Sequence, residues 1–208
     1  MLATEILDNA DDIADLTNSD FMSGKQKNRI LNENYRAIYQ KIVNHGDRYL
    51  LQVLHPNADG KYILPNDFYQ LHSITAGHGS IQIPRKVIGM SESSSGYVIE
   101  KNEIIIKGYT NIEVLYYPKP ERIYTGSGEV LRQAYGDEPE IIDDTITNIE
   151  MRNNLFFDVL AYMCALQYKQ KQNADTTAIQ QQLAEKIEVF FDTLTEDDYE
   201  RLRVRNVY

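Results

Sequence analysis

The chain has 208 residues, 42% of them hydrophobic and 25% charged, enough apolar material for a packed core and too ordinary a charge share for wholesale disorder. Its formal net charge of -10 argues against a protein that grips nucleic acid, since such surfaces cluster Lys and Arg whereas here the acids cluster. The single cysteine, Cys164, excludes an intrachain disulfide, and no run approaches the roughly 18 apolar residues of a membrane span.

The opening MLATEILDNADD has neither a basic nor an apolar leader region, so no signal peptide is expected. Its acids, Glu5, Asp8, Asp11, Asp12, Asp15 and Asp20, come without any Lys or Arg in the first twenty residues. A second acidic run is Asp137, Glu138, Glu140, Asp143 and Asp144. A solvated face accounts for both, and a surface that meets a basic partner is the functional counterpart.

Residues 4–17 predict a short amphipathic helix, with Ile6, Ala10 and Ile13 on one stripe. Ser23 is a good N-cap for a second helix that runs to about His45, where Gly46 suits the end. Its buried face is set by Leu31, Tyr35, Ile38 and Ile42. Then the period changes. Arg48–Leu54 and Lys61–Leu64 look like strands around a Pro-Asn-Ala-Asp-Gly turn, and Pro65 halts the second, with Asn66 placed to cap a short helical turn. Ile81–Ile83 is brief and extended. Tyr97–Glu100, Glu103–Lys107 and Ile112–Tyr117 predict a meander, turned first at Lys101-Asn102 and ended by Pro118 and Pro120.

Residues 118–147 are weakly patterned, and a connection of that length is usually functional or mobile. A long helix is expected from about Asn148 to Gln172, with Leu155, Val159, Leu160, Met163 and Leu166 as its core stripe. After a break near Asn173–Asp175, Ile179, Leu183, Ile187, Phe190 and Leu194 form a second stripe, which favours an antiparallel helical hairpin. The end of the chain alternates: Leu202, Arg203, Val204, Arg205, Asn206, Val207, Tyr208. That pattern suits either a frayed terminus or a tail that adds a strand to a partner's sheet edge. The expected organisation is α+β, a helical bundle of two N-terminal helices plus a C-terminal helical hairpin, with a small antiparallel β region inserted. Residues 1–194 form one domain and 195–208 a docking tail.

A search for chemistry returns little. His45, His55, His72 and His78 make no metal-binding spacing with one another. Cys164 falls four residues after Leu160, on the apolar stripe, where it acts as a small hydrophobe. Ser91, Ser93, Ser94 and Ser95 lack a nucleophile elbow, and Gly126-Ser127-Gly128 lacks the endings of a phosphate loop. Asp8, Asp11, Asp12 and Asp15 are spaced for a helix and not for a calcium loop. No catalytic residue, metal or cofactor is therefore expected. Fifteen tyrosines and no tryptophan are the remaining peculiarity, and tyrosine suits core edges and protein interfaces alike.

The order of elements, with Ile30-Leu31-Asn32-Glu33-Asn34-Tyr35-Arg36-Ala37-Ile38-Tyr39, then Asp47-Arg48-Tyr49 opening a strand, then Tyr62-Ile63-Leu64-Pro65-Asn66-Asp67-Phe68-Tyr69-Gln70-Leu71, then Val114-Leu115-Tyr116-Tyr117-Pro118-Lys119-Pro120 and a closing helical pair, resembles the head-to-tail adaptor (connector) proteins of tailed bacteriophages. The likeness runs over roughly residues 4–194. It implies a virion protein of the neck, assembled in the host cytoplasm as a ring of usually twelve copies. Its partners would be other copies of itself, the portal protein, and the next ring or tail protein, with no membrane and with DNA only passing through the lumen. The resemblance also implies that the C-terminal segment reaches into the portal, which makes Leu202, Arg203, Val204, Arg205, Val207 and Tyr208 the candidate docking residues. Two other readings stay open: another neck or tail protein, such as a stopper or tail-completion protein, and an enzyme whose site the sequence does not display.

Overall fold

The computed structural model describes residues 3–16, 21–46, 50–77, 79–86, 95–120 and 154–205, with the backbone alone at 3, 154 and 195–205. The chain is a mixed α+β protein whose contacts divide it into two units. Met1–Ile42 and Glu121–Tyr208 form a helical unit, and Val43–Pro120, continuous in sequence, forms a β unit. The expected connection 118–147 and the helix start at Asn148 lie, from residue 121 on, outside the described residues.

In the helical unit, α1 (Ala3–Ile13) buries Ile6, Leu7 and Ala10, with Ala14 following. It ends in a Schellman motif. Asp15 turns left-handed (φ 52), its N–H reaches Asp12 O at 3.1 Å, and the N–H of the buried Leu16 reaches Asp11 O at 2.8 Å. The second helix, α2 (Gly24–His45), opens on a capping box: Ser23 Oγ accepts from Gln26 N–H at 3.4 Å, and Gln26 Oε1 accepts from Ser23 N–H at 2.9 Å. The predicted face, Leu31, Tyr35, Ile38 and Ile42, is buried, and Gly46 (φ 86) ends the helix as expected.

The third helix, α3 (Asn154–Lys171), differs from its predicted stripe. Val159 and Leu160 are buried, but Leu155, Met163 and Leu166 are only half-buried, and the core is instead Phe156, Phe157, Ala161, Cys164, Ala165 and Tyr168. The reason is that α3 touches three other helices and so is apolar around most of its girth, which leaves no single stripe to read. It packs on α1; it meets α2 through the Tyr35–Phe156 edge contact (6.2 Å); and it meets α4 (Thr177–Arg205) through Phe156–Phe190 (6.0 Å). Between α3 and α4, Asn173 (φ 55) closes a second Schellman turn, and Asp175 caps α4 by accepting from Thr177 N–H at 2.9 Å. Lys186 on α4 pairs with Asp158 at 3.1 Å and lies 5.0 Å over the Tyr162 ring. Among the described residues, no helix is long and apolar enough to cross a membrane.

Among its described residues, the β unit holds two antiparallel sheets. The four-stranded one has the order β1 (Gln52–Leu54), β7 (Ile112–Pro118), β3 (Phe68–Ala76), β4 (Ile81–Gln82). The three-stranded one has the order β2 (Tyr62–Ile63), β6 (Glu103–Lys107), β5 (Gly96–Glu100). Ile74, Ala76 and Val114 from the first and Ile104 from the second are buried in one cluster with Ile83, against which Tyr62, Tyr97, Ile99 and Ile106 pack. This is a sheet-on-sheet core with alternating inward residues.

Three sequence expectations change here. The Pro-Asn-Ala-Asp-Gly turn forms, with Asn57 Oδ1 accepting from Asp59 N–H and Lys61 N–H, but the strands on either side enter different sheets. Asn66 caps no helix: Phe68 N–H closes a tight turn on Pro65 O at 3.0 Å, and the chain passes straight into β3, the longest strand. Nor is there a three-stranded meander. β5 and β6 do pair about Lys101-Asn102, but Gly108 (φ 84) and Asn111 (φ 52) then redirect the chain, and β7 pairs with β1 and β3.

Candidate protein-docking surfaces

Among the described residues, the groups that could do chemistry are spread out. His72 Nδ1 lies 3.4 Å from Tyr117 Oη, with the two rings edge to face. Cys164 is fully buried and takes a 3.5 Å contact from Asn34 Nδ2, while Asn34 Oδ1 accepts from Gln167 Nε2 at 2.8 Å. Burial pushes the thiol up to about 12, against a smaller downward pull from the Asn34 hydrogen bond. A thiol so placed is not a thiolate near neutral pH, and so not a nucleophile. Among the described residues, no three His, Cys, Asp or Glu side chains gather where they would hold a metal ion. His78 and the second acidic run lie outside the described residues.

The N-terminal acids divide into two kinds. Asp8 and Asp12 are exposed, as a solvated face requires. Asp11 is not: it pairs with Lys27 of α2, both side chains being largely covered, whereas Asp15 stays exposed while pairing with Lys169 of α3 at 3.6 Å. Beneath them Tyr168 is fully buried, and its hydroxyl and Asp11 Oδ1 have no hydrogen-bond partner among the described residues. Burial, then the charges of Cys164 and Asp11, push the Tyr168 hydroxyl up. Sequence reasoning saw acids here. Their partners, Lys27 and Lys169, come from α2 and α3, and no local sequence signal names them.

The candidate docking tail is placed differently from expectation. The backbone of Leu202, Arg203, Val204 and Arg205 continues α4 as helix and not as an extended strand. Val207 and Tyr208 lie outside the described residues.

Exposed apolar side chains mark other places. Val53 (46% exposed) is on β1 and Ile81 (51%) is on β4, the two edges of the four-stranded sheet. Ile63 (37%) is on β2, an edge of the three-stranded sheet. Val189 (50%) looks outward from α4. Edge strands carry backbone donors and acceptors that a further strand can use, and an apolar residue there adds to the same contact. Charge is also divided. The β unit has seven acidic and seven basic residues and nets zero, whereas the helical unit, with 24 acidic and 14 basic residues, carries the whole -10. No protein-family model and no curated protein sequence matches the chain.

Proposed function

We propose that the chain is a virion structural protein, a ring-forming head-to-tail adaptor of a tailed bacteriophage that joins the portal to the tail. In this reading the helical unit is a bundle of two N-terminal helices plus a C-terminal helical hairpin, with the β region inserted between them. The observation that carries it is the relation of the resembling blocks. Within Leu31–Tyr39, the side chains of Leu31, Asn34, Tyr35, Ile38 and Tyr39 are buried, while Leu64–Leu71 and Val114–Pro120 meet in one ladder, with Leu71 opposite Tyr116 and Phe68 opposite Pro118. Phe68 and Tyr116 also stack at 5.8 Å. Two of the three blocks, more than forty residues apart in sequence, thus pack against each other, which is what a shared fold would preserve.

The uneven charge suits the role. An acidic unit facing a lumen repels the phosphate backbone and leaves DNA mobile, where a cationic wall would hold it. Docking on the portal falls to the C-terminal end of α4 and the residues after it, Leu202, Arg203, Val204, Arg205, Val207 and Tyr208, which carry cations on an otherwise acidic unit. Deleting Leu202–Tyr208 tests this. The truncated chain keeps its helical circular dichroism and loses most of its pull-down by a portal protein of the same phage. Undiminished pull-down contradicts the docking assignment.

A further inference from the structure

We infer that neighbouring copies of this chain join edge to edge through the four-stranded sheet, β4 of one copy adding to β1 of the next. The inference rests on the ring proposed above and says which surface closes it. Three observations lead to it.

The first is where the apolar exposure falls. Val53 and Ile81 occupy the two outer strands of one sheet, and among the described residues Gln52–Leu54 make no backbone hydrogen bond beyond those to β7. The second is strand direction. β1 runs antiparallel to β7, β7 to β3, and β3 to β4, so the two edges of this sheet run in opposite directions. Copies related by rotation about an axis along the strands keep their directions. Placing β4 beside the next β1 therefore continues an all-antiparallel ladder, a heterologous contact that makes a ring when its rotation closes.

The three-stranded sheet cannot propagate in this way. Its edges β2 and β5 run parallel to each other, and the outer side of β5 is already used, with Lys86 N–H donating to Tyr97 O at 2.8 Å and Tyr97 N–H to Pro84 O at 3.0 Å.

The third observation is charge. Two copies of the helical unit repel each other, each carrying all ten net negative charges, whereas two copies of the neutral β unit do not. Like chains meet at least electrostatic cost through the β unit. Each edge is only two or three residues long, with Pro56 soon after β1 and Pro84 soon after β4, so one junction is weak and gains from ring closure. Short edges also limit runaway pairing into fibres.

Cysteine cross-linking tests the seam. Val53 shares a face with Leu115 and Ser73, while Thr75, Glu113 and Gln82 continue that face, so Val53 should lie near Gln82 or, one register over, Ser80 of the neighbour. Within one copy β1 and β4 are about 14 Å apart across three strand spacings, too far for a disulfide. Full-length chains carrying Val53→Cys with either Gln82→Cys or Ser80→Cys are oxidised mildly at high concentration; native Cys164, being buried, stays silent. One of the two pairs is expected to yield covalent multimers longer than dimers, whereas mixing the corresponding single variants yields dimers only. Val53→Lys should lower ring yield at least tenfold with an unchanged melting temperature. Rings on the grid with no cross-link in either register overturn the seam and leave the ring reading standing. Dimers from Val53→Cys alone as the main product indicate β1 against β1 and also overturn it. A chain that stays monomeric throughout sinks seam and ring together.

Discussion

The two units solve the problem of stability with different materials. The helical unit fills its interior with large side chains, Phe156, Tyr168 and Phe190 among them, and spends its surface on acids. The β unit has a smaller interior of Ile74, Ala76, Ile83, Ile104 and Val114, no net charge, and apolar residues left on its edges. A unit with a deep core and a strongly charged surface is suited to standing in water beside a polyanion. A neutral unit with a thin core and open edges is suited to being covered. In the proposed ring, the contrast separates the part of the chain that keeps its shape from the part assigned to meeting its own copies.

The sharpest way to break this contrast is to attack the larger core. Phe190→Asp buries an unpaired charge among Phe156 and Phe191 and removes an aromatic side chain, at a cost of at least about 4 kcal/mol. Most helical circular dichroism should disappear at 25 °C, and a variant as stable as the parent would place the core elsewhere. The β unit is tested by Ile74→Ala, which leaves a cavity between the sheets and should cost about 2–5 kcal/mol in urea denaturation. If hydrogen exchange of α3 amides stays unchanged in that variant, the units open separately. Uniform acceleration would show that they unfold as one.

A smaller effect follows from Cys164. Its folded thiol is pushed up to about 12 from an ordinary value of 9.0, so above about pH 9 the unfolded chain loses this proton while the native chain keeps it. Stability therefore falls as pH rises through that window. Cys164→Ala should flatten the decline between pH 9 and 11, in urea melts at several pH values. The smallest change is expected from Tyr168→Phe, which deletes a buried hydroxyl with no partner among the described residues. Stability should stay within about 0.5 kcal/mol of the parent or rise. A loss above about 1.5 kcal/mol would mean that the hydroxyl is hydrogen-bonded after all.

How much of this could be read in advance depended on whether the signal was local. The helix α2 was legible to the residue because Ser23, Gly46 and a clean 4-3-4 spacing are all local. β3 was not, because bulges between Phe68 and Gln70 and between Leu71 and Ser73 break the two-residue alternation that marks a strand. β1 and β2 were recognisable as strands, but their partners lie about sixty and about forty residues away, and the intervening turn says nothing about which sheet each will enter. The core of α3 was misread for the opposite reason, a surplus of apolar residues. At the candidate site the acids of α1 were visible, the pairing of Asp11 with Lys27 was not, and the open edges emerged only with the sheet order.

The most direct test is electron microscopy of the purified full-length chain, alone and mixed with portal rings of the same phage. Closed rings with a central lumen, alone or seated coaxially on the portal, are the expected result. A monomer that neither closes into rings nor binds portal under either condition would contradict the assembly role.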